Sequence, residues 1–277
     1  MPKSSIVKLL DLPFYTEGPA MDTDGNFYFT ALTGGFVGKI DRHSTYTAWS
    51  NGTCPNGQII LKNGAHWFCD SRDSAIARYD PDGKFAGFLV KDTCAGVAVQ
   101  SPNDLTVDSG GNLYFTDSIR KDGKVFFKGA NGREAVLAEG IDYANGLVLS
   151  ANEQKLYVAE SYQNRILHIE LAEPGIALGA PQLFADLPGH VSGSIISSLP
   201  DGLALDGEGN LWVAHYGMQA IQVLSEHGEL LFTLDTGLPL TSNLHFVEDT
   251  PSIKKLLVTG GYGEPGPGAV LLITVEI

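Results

Sequence analysis

The chain repeats itself six times. The segment PNDLTVDSGGNLYFTD at 102–117 recurs as NGLVLSANEQKLYVAE at 145–160 and as PDGLALDGEGNLWVAH at 200–215. Weaker copies are EGPAMDTDGNFYFTA at 17–31, NGQIILKNGAHWFCD at 56–70 and SNLHFVEDTPSIKKLLVTG at 242–260. Each copy is an apolar strand, a turn rich in Gly, Asp and Asn, and a second strand with aromatic or aliphatic residues. That order is a β-hairpin. The residues that open the copies are Glu17, Asn56, Asn103, Asn145, Asp201 and Asn243, at spacings of 39, 47, 42, 56 and 42 residues. A unit of that size holds four strands, and tandem units of roughly 40–50 residues are the sequence mark of a propeller. The expected architecture is all-β: a six-bladed β-propeller with four strands per blade, in one domain spanning 1–277. The runs SIVKLLDL at 5–12 and AVLLITVEI at 269–277 are left over. They are expected to share one blade and close the ring, which removes the exposed sheet edges.

Composition excludes several classes of function. The 32 acidic residues outnumber the 18 basic ones, a formal charge of −14. That balance opposes a nucleic-acid partner and an anionic membrane surface. The start of the chain, with Lys8 and Asp11 inside a short apolar stretch, fits neither a secretory leader nor a membrane span. Cys54, Cys69 and Cys94 have no C-x-x-C spacing, against a cysteine zinc site or a disulfide scaffold. A cytoplasmic protein, monomeric or a small homo-oligomer, is expected. There is no Gly-x-Ser-x-Gly elbow, Walker loop or dinucleotide fingerprint.

The opening residues carry the chemistry. A propeller blade begins with its innermost strand, so all six side chains should point to one mouth of the central channel. Four are amides and two are carboxylates. Asn and Asp at strand starts also serve to satisfy local backbone groups. Six side-chain oxygens in register, without His or Cys, suit a hard cation such as Ca²⁺ or Mg²⁺ more than zinc. The segments after the second strands should rim the same mouth: Thr33, Ser71-Arg72, Ser118 to Arg120, Glu160 to Tyr162, His215-Tyr216 and Gly261-Tyr262. The motif DTDGN at 22–26 begins like a calcium loop, but Gly25 comes one place early and Thr33 stands where Glu is needed, so it reads as a hairpin turn. His66, beside Trp67 in a strand, reads as a packed histidine.

The segments Glu17-Gly18-Pro19, Ser101-Pro102-Asn103-Asp104, Asn145-Gly146 and Pro200-Asp201-Gly202 resemble those of the regucalcin/gluconolactonase (SMP-30) family of six-bladed propellers, over nearly the whole chain. The resemblance implies that Glu17, Asn145 and Asp201 hold one divalent cation at the mouth: Ca²⁺ first, with Zn²⁺, Mn²⁺ or Mg²⁺ as alternatives. It implies that Asn103 touches substrate or metal, that Asp201 doubles as general base, and that the substrate is a lactone, typically of a sugar acid. The animal sugar-lactonase pattern has an Arg two residues before Asn103; here that position is Ser101, and Arg72 or Arg120 is the candidate replacement.

The expected reaction is hydrolytic ring opening. The cation polarises the lactone carbonyl, water attacks, Asp201 removes its proton, and Asn103 or Asn56 donates to the oxyanion. Two alternatives stand beside it: a non-catalytic binding platform on the same propeller, and a metal-free propeller resembling strictosidine synthase. The Gly- and Ser-rich segment 188–200 is expected to pass over the mouth as a loop or a lid, with Ile195 and Ile196 covering part of the substrate.

Overall fold

A computed structural model describes residues 2–277. Six antiparallel sheets follow one another around a central channel. The first blade is built from Thr16–Met21, Phe27–Ala31, Phe36–Ile40 and Tyr46–Asn51. The third (Pro102–Val107 to Glu134–Ile141) and fifth (Leu199–Leu205 to Leu230–Asp235) also have four strands.

The sixth blade contains the ring closure. Lys3–Leu12 pairs antiparallel with Gly268–Glu276, from Lys3 opposite Glu276 to Leu12 opposite Gly268. The first segment of the chain is thus the outermost strand of the last blade, and the two leftover runs do share a sheet.

Two blades depart from four strands. The second starts at Pro55–Ile60 and adds two two-residue strands, Thr93–Cys94 and Val97–Ala98, in its exit loop. The fourth starts at Ala144–Leu149 and adds Ile176–Ala177, paired with the end of the long strand Arg165–Glu173. Those additions fill the two longest repeat spacings, so the surplus of the fourth repeat is divided between this strand and the segment before Asp201.

The hydrophobic core is divided among the six blade-to-blade interfaces. Phe29 and Ile40 of the first blade meet Leu257 and Val270 of the sixth. Val125 and Phe127 of the third meet Leu156 and Ile169 of the fourth. Trp212 and Ile221 of the fifth meet Leu256 and Ile273 of the sixth. The hairpin tips repeat a polar device. The Asp22, Asp108 and Asp206 carboxylates each accept from the backbone N–H four residues on, at 2.9, 2.8 and 2.8 Å. Each also accepts from an aromatic six residues on: the Tyr28 and Tyr114 hydroxyls and the Trp212 indole N–H. This fixes the turn and the first aromatic of the second strand together, and it accounts for the D-x-x-G-N-x-aromatic pattern.

A bulge interrupts every inner strand at or beside its opening residue. In the fifth blade Pro200 pairs with His215 and Leu203 with Val213, so Asp201 and Gly202 together face one residue. The second, third and fourth blades slip at the same place. A bulge re-aims the side chain it carries, here toward the channel. Neighbouring inner strands approach so closely at the next residue that only glycine fits at most of these positions. A Cβ on Gly146 would lie 2.2 Å from the Asp201 carbonyl oxygen and 2.7 Å from the Gly202 Cα. Gly146→Ala should therefore lower unfolding free energy by about 1–3 kcal/mol, the usual cost of overpacking. Urea denaturation with an unchanged m-value measures it; a loss under a few tenths of a kcal/mol would mean that the ring is not held by this contact.

Candidate active site at the channel mouth

Five of the six opening residues come together. Glu17, Asn56, Asn103, Asn145 and Asp201 line one cavity of ≈ 180 Å³ at the mouth of the channel. Asn243 does not line it. Counting from the pairs Thr241–Gly260 and Leu244–Val258, the counterpart of Asp201 in the sixth blade is Ser242, and Asn243 stands where the fifth blade has Gly202. The sequence register of this repeat was one residue off. Ser242 is buried and donates to the Thr16 carbonyl at 3.0 Å, while Asn243 Nδ2 donates to Glu17 Oε2 at 3.0 Å. Asp104 takes the matching place in the third blade. Its carboxyl occupies the space left by Gly57, whose Cβ would lie 2.3 Å from Asp104 Oδ1.

The site is negative. Burial, reinforced by the Glu17 and Asp104 charges, holds the Asp201 carboxyl well above its ordinary range. Burial likewise raises Glu17, against donation from the Gly18 N–H and Asn243. Asp104 is pushed up to about 7, first by burial and then by the Glu17 charge. No Lys, Arg or His lines the cavity among the described residues. Three carboxyl groups share the head of the channel without a cationic side chain, and burying such charges unpaired is costly.

The amides complete the set. Asn145 Nδ2 donates to Ser161 Oγ at 3.1 Å, and Ser161 Oγ gives its own proton to the Pro200 carbonyl at 2.7 Å. That chain fixes the amide, and Asn145 Oδ1 is left buried without a partner. Asn56 Oδ1 is buried without a partner as well. Two orphaned oxygens beside two raised carboxyls are what a hard cation accepts. No group of three or more His, Cys, Asp or Glu among the described residues is arranged to hold a metal; any cation here would draw on amide oxygens as well as carboxylates.

The rim differs from the expectation. Arg120 is not in the cavity. Its Nε donates to Asp142 at 2.7 Å, and its guanidinium lies 3.5 Å from the centre of the Tyr162 ring. Arg72, the other candidate for the arginine missing at Ser101, is exposed and does not line the cavity either. His215, a rim residue by sequence, is fully buried. Its Nε2 pairs with Asn164 Oδ1 at 2.9 Å and its Nδ1 with Gln222 at 3.3 Å. Of the segment 188–200, Leu199 reaches the cavity, whereas Ile195 and Ile196 lie exposed outside it.

Three of the expected rim residues, Ser161, Tyr162 and Tyr216, do line the cavity; Tyr15, Tyr143, Leu32 and Glu264 join them unannounced by the repeats, and the four tyrosines form a wall. Glu264 arrives on the loop 262–267, pinned where the Tyr15 N–H donates to the Pro265 carbonyl at 2.9 Å. The aromatic-Gly-x-Pro spacing at 262–267 was the available signal.

Two measurements follow. Burial lowers His215 to about 4, below an unfolded value near 6.5. Between those values the unfolded chain binds the extra proton, so this stabilisation is complete above pH 6.5 and is lost as pH falls toward 4. His215→Gln should lose stability less steeply than the parent below pH 6.5, by up to about 1.4 kcal/mol per pH unit in urea titrations; parallel curves would contradict the assignment. In a substrate series, Ile195→Ala with Ile196→Ala should keep the ranking by bulk and Leu199→Ala should alter it. The reverse pattern in KM would restore 188–200 as a lid.

Comparison with known proteins agrees with this architecture. The chain is 27% identical over 288 aligned positions to lactonase drp35 of Staphylococcus haemolyticus, covering 98% of this chain and 86% of that one. It is 29% identical over 212 positions to a gluconolactonase of Zymomonas mobilis, covering 68% and 56%. A solved gluconolactonase of Xanthomonas campestris superposes with a TM-score of 0.83 at 25% identity, over 99% of this chain and 90% of that one. The calcium-binding protein regucalcin of Agrobacterium tumefaciens shares the fold, with a TM-score of 0.75 at 18% identity over 97% and 94%. The family model described as SMP-30/Gluconolactonase/LRE-like region matches residues 15–261, and the chain belongs to that family.

Proposed function

We propose that the protein is a metal-dependent lactonase whose reaction takes place in the cavity around Asp201. The observation that carries the reading is the meeting of Glu17, Asp201 and the orphaned Asn145 Oδ1 in one cavity that no basic side chain lines among the described residues. Relatives named lactonase and gluconolactonase support the reaction class.

Glu17, Asn145 and Asp201 would hold the cation, Ca²⁺ by preference because every donor is an oxygen. When bound, a divalent cation supplies a Lewis acid for the lactone carbonyl. Asp201 accepts the proton of the attacking water. Its partial exposure to the cavity gives water access to the carboxylate. The Asn56 and Asn103 amides donate to the carbonyl oxygen as negative charge develops there. The tyrosine wall and Leu199 pack on the ring and keep out other water. A sugar-acid lactone fits a cavity with amide donors and aromatic faces.

Asp201→Asn separates holding from proton transfer. It should weaken metal binding, and its rate should remain about 10²–10⁴-fold below the parent at saturating Ca²⁺, because an amide cannot take the proton. Recovery to within a few-fold would leave Asp201 as a ligand only. Glu17→Gln should lower metal affinity and regain most of its rate with excess metal; unchanged metal content in that variant would remove Glu17 from the set.

A further inference from the structure

Glu264 is the one carboxylate in the cavity that the proposed reaction does not use. It lines the cavity together with Tyr15, Tyr143, Tyr162 and Tyr216. The rings are braced in pairs. Tyr15 and Tyr216 have centroids 6.3 Å apart at 60°, and Tyr143 and Tyr162 are 5.5 Å apart at 64°. Arg120, held by Asp142, backs Tyr162 from outside. Glu264 sits beside Tyr216 and raises its phenol, after burial, further above the ordinary range.

Charge counting shows what this chamber accepts. A divalent cation held by Glu17 and Asp201 is neutralised by those two carboxylates. Glu264, which is exposed to solvent, then has no basic partner in the cavity, because no Lys, Arg or His lines it among the described residues. Anionic substituents meet a negative wall and a chain of net charge −14. A cationic substituent meets a carboxylate and π faces, the combination by which proteins hold quaternary ammonium groups.

The geometry points to a subsite for an ammonium group in this cavity, formed by Glu264 and the tyrosines. The preferred substrate is then a compact lactone carrying a quaternary or protonated amine beside the ring. Only the lactone ring in this statement rests on the proposed activity; the recognition of the cation is tested without catalysis.

The test is calorimetric titration with choline and with its uncharged carbon isostere 3,3-dimethylbutan-1-ol, on the full chain, with and without saturating Ca²⁺. Choline should bind at least roughly tenfold tighter than the isostere, and Ca²⁺ should leave that binding in place. Glu264→Gln should abolish the difference. Tyr216→Phe should keep it and Tyr216→Leu should reduce it, since Phe retains the π face. Equal affinity for the two probes, or displacement of choline by Ca²⁺, would overturn the subsite. If choline binds as stated while no lactone is opened, the subsite stands and the lactonase reading falls.

Discussion

The structure depends on how closely six inner strands approach one another at the axis. Each strand is broken by a bulge where it nears the channel mouth, and the next residue lies against the neighbouring strand. Glycine at 18, 57, 146 and 202 permits that approach. The same bulges turn Glu17, Asn56, Asn103, Asn145 and Asp201 into the cavity. Packing and chemistry are therefore one arrangement. A ring tight enough to close places carboxyl groups where water is scarce and no basic side chain reaches, which makes the head of the channel a place for a cation.

The blades support this from outside. Six apolar clusters, one per interface, carry the hydrophobic stabilisation, so no single core sits behind the site. Closure by Lys3–Leu12 against Gly268–Glu276 ties the two ends of the described chain into one sheet. The outer wall of the cavity comes from loops at the strand ends. The Pro265 carbonyl binds the Tyr15 N–H, so the loop that brings Glu264 is joined to the segment that brings Tyr15.

Most of the fold was legible because a propeller is written as a period. The repeated turn with Asp22, Asp108 or Asp206 is a local hydrogen-bonded device that survives in sequence almost unchanged. The inner half of the site was legible for the same reason, as one oxygen-bearing residue per repeat. The sixth repeat misled because Asn243 looks like an opening residue, although its strand slips at Ser242 and the amide fills a place that glycine has elsewhere. The rim was legible only in part: Ser161, Tyr162 and Tyr216 line the cavity from expected positions, whereas Tyr15, Tyr143 and Glu264 carry no periodic signal. Arg120 sits at a rim position, yet Asp142 takes its guanidinium away from the cavity. His215 does too, yet Asn164 and Gln222 hold it inside. Rim loops obey no period, and the contacts that claim Arg120 and His215 leave no mark in it.

The central claim is that the carboxylates at the channel head are arranged around a divalent cation. Thermal unfolding in a chelator and then in increasing Ca²⁺ tests it most directly, because a ligand that binds only the folded ring raises its stability with concentration. The account predicts a progressive rise in Tm that corresponds to about 2.7 kcal/mol at a hundredfold excess over Kd, and its loss when Glu17 and Asp201 are both replaced by their amides. A Tm that ignores Ca²⁺, Mg²⁺, Mn²⁺ and Zn²⁺ alike would contradict it.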